Sequence, residues 1–190
     1  MTDSVGRHVI SVLARDHVGI IADVADTLYD LGANIEALSQ TVVGHWFTMV
    51  VRAAFPAEVS TEAIKATLER TGGIQAIVVP YDSAAAGAVV QGEPYVVTTV
   101  GADKPGIVRR FARCFANRGV NIEDVWNEIK GETFVEMFHV TVPAHVDPKE
   151  LRDELKEAAQ ELGVEMRLQH FDIFTATNSL SVHTKKDLTR

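Results

Sequence analysis

Two short segments carry residue types that could grip a small zwitterion. One is Asp16-His17-Val18-Gly19-Ile20; the other is Asp103-Lys104-Pro105-Gly106-Ile107. Apolar residues at helical spacing follow each, so a helix is expected to begin near Val18 and near Pro105. The first N–H groups of a helix lack intrahelical acceptors, and with the helix dipole they attract a carboxylate. Gly19 and Gly106 have no side chain, so a ligand can come close to that backbone. Asp16 or Asp103 can offer a carboxylate to an ammonium group. Asn34 and Asn121 supply both a donor and an acceptor. Pro105 fixes the start of its helix, and Lys104 adds positive charge beside the expected carboxylate position. Structural roles are open to the same residues. The aspartates suit helix capping, the glycines suit close packing, and the asparagines tolerate an awkward backbone after a helix.

The elements that must position these residues come from a repeat. Gly32-Ala33-Asn34-Ile35-Glu36 matches Gly119-Val120-Asn121-Ile122-Glu123 at an offset of 87 (121 − 34), and the two Asp-containing turns match at the same offset (103 − 16). Gly44 meets Gly131 and Phe47 meets Phe134 without a gap. Aligning 7–53 with 94–140 gives 11 identities in 47 positions, where composition alone would give about three or four. Two units are too few for a solenoid, so the chain reads as a duplicated domain.

Each copy shows the same order of elements. Val9–Leu13 and Val96–Val100 read as buried strands. Ile20, Val24, Leu28 and Leu31 recur at helical spacing, as do Ile107, Phe111 and Phe115. Gly32 and Gly119 suit the left-handed position after a helix. Ile35–Val43 and Ile122–Ile129 read as strands, and Gly44 and Gly131 as turns into strands at Phe47–Ala54 and Phe134–Val142. Helices are expected at Thr61–Arg70 and Pro148–Leu162, the latter capped by Asp147 with Pro148 in its first position. Last strands fall near Ile74–Tyr81 and Val164–Phe171. The pattern is βαββαβ twice, an α+β class with two tandem ferredoxin-like modules, each an antiparallel four-stranded sheet with two helices on one face. Residues 7–82 and 94–172 form the modules, 83–93 a small-residue linker and 173–190 a polar tail. Units of about 80 residues bury little core alone, so the two are expected to pack together.

The chain has 190 residues and a net charge of -8, which argues against direct nucleic-acid binding. The single cysteine, Cys114, excludes an internal disulfide and reads as a buried structural residue on an apolar helix. The first eight residues do not read as a signal peptide and no apolar run suits a membrane span, so a cytoplasmic location is expected. Glu132, Glu136 and His139 do not make a metal set, because on a strand the first two share one face and His139 points to the other. No Gly-x-Ser-x-Gly elbow or phosphate loop is present, so neither catalysis nor a cofactor is expected. Trp46 and Trp126 read as packing residues. Glu36 and Glu123 recur at solvent-facing strand positions. The first helix of copy one carries Asp23, Asp26 and Asp30, while its counterpart carries Arg109, Arg110, Arg113 and Arg118. Those faces are either solvated or complementary within or between chains.

The Asp-x-(Pro)-Gly-Ile turn, the Gly-x-Asn-Ile-Glu segment and the βαββαβ order together resemble the ACT domain, a sensor module that often binds amino acids. The second copy matches better, since Val18 stands where the motif prefers Pro. Two ACT modules with no enzyme attached look like the glycine cleavage system transcriptional repressor family. The resemblance implies ligand sites that join Asp103 and Gly106 to Asn34, and Asp16 and Gly19 to Asn121. It also implies an amino-acid sensor that controls glycine cleavage genes; with a net charge of -8 and no helix-turn-helix, the chain is expected to act through a protein partner, a transcription factor or an enzyme, and to form a homo-oligomer. The rival readings are a regulatory subunit of an amino-acid metabolic enzyme and an interaction scaffold that has lost its ligand.

Overall fold

The computed structural model describes residues 5–82, 90–131 and 133–177. The chain divides into two compact units, Met1–Gly87 and Ala88–Arg190. The boundary falls within the expected linker, of which residues 83–89 lie outside the described residues.

Module 1 runs β1 (Val5–Arg15), α1 (Ile20–Asp30), β2 (Asn34–Val43), β3 (Trp46–Pro56), α2 (Thr61–Arg70) and β4 (Gln75–Pro80). Its sheet has the order β2-β3-β1-β4 with every neighbour antiparallel. Alternation along β3 sends Phe47, Met49, Val51, Ala53 and Phe55 to one face. There they meet Ile20, Val24 and Leu28 of α1 and Ile64 and Leu68 of α2 in a single core. The spacing of these helix residues is what gives each helix one apolar stripe for the sheet.

Module 2 repeats the plan with β5 (Gly92–Gly101), α3 (Ile107–Asn117), β6 (Asn121–Lys130), β7 (Thr133–Pro143), α4 (Pro148–Leu162) and β8 (Glu165–His170). Its sheet order is β6-β7-β5-β8, again antiparallel throughout. Phe138 is fully buried, with Phe111 stacked 5.8 Å away and Phe115 edge-on at 5.5 Å. Cys114 is buried in the same core, the structural position expected for it. The Asp147 carboxylate accepts from the Lys149 N–H at 2.8 Å, with Pro148 in the first turn, so α4 starts as the sequence indicates.

The structure adds detail to three expectations. The polar tail expected at 173–190 begins inside a further helix, α5 (Phe171–Thr177), which follows β8 directly, while 178–190 lie outside the described residues. The His139 ring lies 4.9 Å from that of Phe171. His139 alternates with core-facing Phe138 and Val140, so α5 starts on the sheet face opposite α3 and α4. The two tryptophans are not core residues. Trp46 is 40% and Trp126 48% exposed, and the Arg15 guanidinium lies 4.2 Å from the Trp46 ring. Both sit on outer surfaces of the sheets, where an aromatic ring can cover a neighbouring strand without entering the core. Finally, Arg110 and Arg118 of the basic face are engaged within their own module. Arg110 pairs with Glu161 at 2.8 Å, and Arg118 with Glu154 at 2.8 Å and Glu150 at 3.3 Å, all on α4. Side-by-side packing of α3 and α4 on the sheet brings these opposite charges within reach.

Candidate functional site

Both Asp-containing turns sit between the first strand and first helix of their module, and α1 and α3 begin at Ile20 and Ile107, two residues beyond the expected starts. The delay has a backbone cause. Gly19 and Gly106 are the N-cap residues and adopt left-handed conformations, φ 101° and 99°, which glycine reaches without a Cβ penalty. Neither cap makes a side-chain hydrogen bond. The cap position thus belongs to glycine in both modules, three residues beyond Asp16 and Asp103. A Cβ placed on Gly19 or Gly106 would meet nothing within 4 Å, so the turn faces open space and the glycines do not serve packing.

In module 2 this turn borders an open hollow of about 410 Å³ lined by Asp103, Lys104, Gly106, Ile107, Val108, Arg109 and Phe134. Asp103, Gly106 and Ile107 are thus brought together on the wall of this hollow. Lys104 lines the hollow, but its ammonium donates to the Leu162 carbonyl at 2.9 Å, at the C-terminal end of α4. That contact suits a cation at the negative pole of a helix and turns it from the carboxylate position expected for it. Arg109, exposed on the first turn of α3, is a further cation on the rim that sequence reading did not assign to the site. Pro105 shapes the turn without lining the hollow.

Asn34 and Asn121 are the first residues of β2 and β6. The left-handed positions before them belong to Gly32 and Gly119, φ 73° and 67°, and no non-glycine residue has positive φ among the described residues. Strain after the helix is therefore not why asparagine stands there. The Asn121 side-chain amide donates to Glu123 at 2.9 Å. Glu36 and Glu123 each occupy the extra residue of a β-bulge, since register shifts fall between Ile35 and Ala37 and between Ile122 and Asp124. Glu36 accepts from Arg7 at 2.8 Å and Arg52 at 3.1 Å, and the Arg7 hydrogen bond holds its carboxyl below the usual carboxylate range. Glu123 accepts from Asn121 and from the Thr141 hydroxyl at 2.7 Å. The repeated glutamate thus ties the bulge to neighbouring strands.

Beneath the module 2 turn, sequence reading missed a buried carboxyl. Glu136 on β7 is 0% exposed, and neither of its oxygens has a hydrogen-bond partner among the described residues. Its cross-strand neighbour Thr99 has a buried hydroxyl in the same condition. Burial pushes the Glu136 carboxyl above the usual carboxylate range, and the nearby negative charge of Asp103 pushes it further. The signal was in the sequence: at offset 87, Glu136 falls on Met49 and Thr99 on Val12. Among the described residues no group of three or more His, Cys, Asp and Glu is placed to hold a metal ion; Glu132 lies outside them.

Two split βαββαβ units, each with a glycine-capped first helix, define a tandem α+β architecture. Residues 8–69 and 93–169 each match the ACT domain, and the chain belongs to the ACT-domain family, a regulatory class, with two copies in tandem. A UPF0237 protein from Methanopyrus kandleri is 39% identical over 82 residues, 43% of this chain and 91% of the relative, so that stretch belongs to the UPF0237 family. A second, from Methanocaldococcus jannaschii, is 38% identical over 80 residues, 42% of this chain and 89% of the relative. Among solved structures, a protein of unknown role from Galdieria sulphuraria is 27% identical with a TM-score of 0.71, covering 88% of this chain and 99% of its own. A candidate glycine cleavage system transcriptional repressor is 18% identical with a TM-score of 0.58, covering 87% and 96%. At that identity the likeness is one of fold.

Proposed function

We propose that this protein is a non-catalytic, cytoplasmic regulator that senses an amino acid through the Asp103–Ile107 turn of module 2. The observation that carries this reading is the hollow at the start of α3. It combines helix N–H groups without a side-chain cap, a glycine that leaves the backbone open, and acidic and basic side chains on one rim. A carboxylate suits the helix N-terminus and Arg109, and an ammonium suits Asp103. Module 1 keeps Asp16, Gly19 and Ile20 but has Val18, fully exposed, in place of Pro105. Its turn is less restrained, and the larger ordering cost makes it the weaker site. The regulated process is glycine cleavage gene expression, controlled through a DNA-binding partner protein. The fold-level likeness to the candidate repressor and the net charge of -8 support that assignment.

The test is a thermal-shift screen of the full chain over the twenty proteinogenic amino acids, because a ligand that binds only the folded state raises Tm. One amino acid, or a small related set, should stabilise the protein, and Gly106→Leu should abolish that shift. A parent unaffected by every amino acid would overturn the reading. Co-purification from cells with a metabolic enzyme instead of a transcription factor would overturn the assignment to gene control alone.

A further inference from the structure

Module 1 shows what the fold requires at the centre of its first and third strands. Val12 and Met49 are cross-strand partners, 1% and 2% exposed, and both belong to the core. The duplicate positions in module 2 are Thr99 and Glu136 (12 + 87 and 49 + 87), again cross-strand partners, 1% and 0% exposed. An apolar pair is thus sufficient for packing, yet module 2 carries a hydroxyl and a carboxyl that find no partner among the described residues. Buried polar groups left without partners cost stability, so a pair of them needs a cause outside packing.

Their place in the fold suggests the cause. Phe134 precedes Glu136 by two residues on the same face of β7 and lines the hollow. Gly101 pairs with Phe134 and lies two residues before Asp103, which also lines it. The Glu136 carboxyl is close enough to feel the charge of Asp103. Glu136 and Thr99 therefore lie buried one step along the sheet from the wall of the hollow, behind Phe134, while Asp103 stands on its rim. A group with several N–H donors and one positive charge satisfies them together. We propose that Glu136 and Thr99 form the floor of the module 2 site and receive the ammonium group of its ligand, with Asp103 as the second carboxylate. This rests on the reading of the hollow as an amino-acid site and adds a selection rule. The ligand must present a primary ammonium inward, and module 1, with Val12 and Met49, cannot make the same contact.

The experiment uses the full chain as parent, Glu136→Met, Glu136→Gln and Thr99→Val. Met stands at the equivalent core position of module 1, so the first variant should fold, and Gln preserves shape if it does not. Thermal shift and calorimetry are run with each proteinogenic amino acid, with methylammonium chloride and with sodium acetate at matched ionic strength. An amino acid and methylammonium should both stabilise the parent. Each should bind about tenfold or more weakly to Glu136→Met, the loss expected when a charged hydrogen bond is removed, while any acetate effect persists. Retention of parental affinity for an amino acid in Glu136→Met and Glu136→Gln would remove the floor and leave the amino-acid reading standing. A Glu136-dependent response to methylammonium with no response to amino acids would do the reverse. A parent stabilised by neither would end both.

Discussion

Glu136→Met should make module 2 more stable. In the parent, a carboxyl with two buried, unpartnered oxygens sits between Phe134 and Phe138 on the core face of β7. An unsatisfied buried polar group costs about 1–3 kcal/mol. Methionine removes that cost and fills the position with the side chain that module 1 buries at Met49. The Thr99 hydroxyl is unpartnered before and after, so it cancels from the difference. The expected gain is about 1–3 kcal/mol, and for a module of this size each kcal/mol raises Tm by about 4–8 °C. The gain should depend on pH. Burial raises the folded-state pKa of Glu136 above its unfolded value. The parent's folded state therefore holds this proton more tightly, a contribution present at acid pH and lost as pH rises through the folded pKa. The variant lacks that loss, so its advantage should be smallest at acid pH and grow toward neutrality. Urea unfolding of parent and variant across this pH range measures it. A variant less stable than the parent at neutral pH, or an advantage independent of pH, would refute the reasoning.

Gly106→Ala should cost about 1–2 kcal/mol, because φ 99° is unfavourable for an L-residue, and should weaken amino-acid binding at the hollow; urea melts and calorimetry report the two effects separately. Phe138→Ala should destabilise module 2 by about 3–5 kcal/mol, since it removes the ring between Phe111 and Phe115. Cys114, buried and with its thiol pushed up by burial, should resist iodoacetamide in the folded protein and react fully in denaturant, which makes it a mass-spectrometric reporter of module 2 unfolding. The Arg110 hydrogen bond holds the Glu161 carboxyl below its usual range, so the contribution of this exposed pair should fade as pH falls and in high salt; a Glu161→Gln variant followed by thermal melts should show a small difference from the parent that vanishes under both conditions.

The repeat and its offset, the order of elements, the Asp147 cap and the left-handed positions of Gly32 and Gly119 were all legible in the chain, because they depend on local periodicity and on backbone preferences of single residues. The same local rules explain the smaller errors. Helix spacing located α1 and α3 but not their first residues, since Gly19 and Gly106 turn the chain before the helix can begin. Which partners the charged and aromatic groups find is a non-local matter. Lys104 reaches a carbonyl 58 residues away, Arg110 a carboxylate 51 residues away, and Trp46 lies outside the core despite its apolar ring. Glu136 joins the two kinds of information. The sequence places it opposite Met49 of the duplicate, and strand alternation assigns its face. Only the pairing of β7 with β5, under α3, leaves its carboxyl opposite Thr99 with water excluded, because burial is a property of what the rest of the chain packs around a residue.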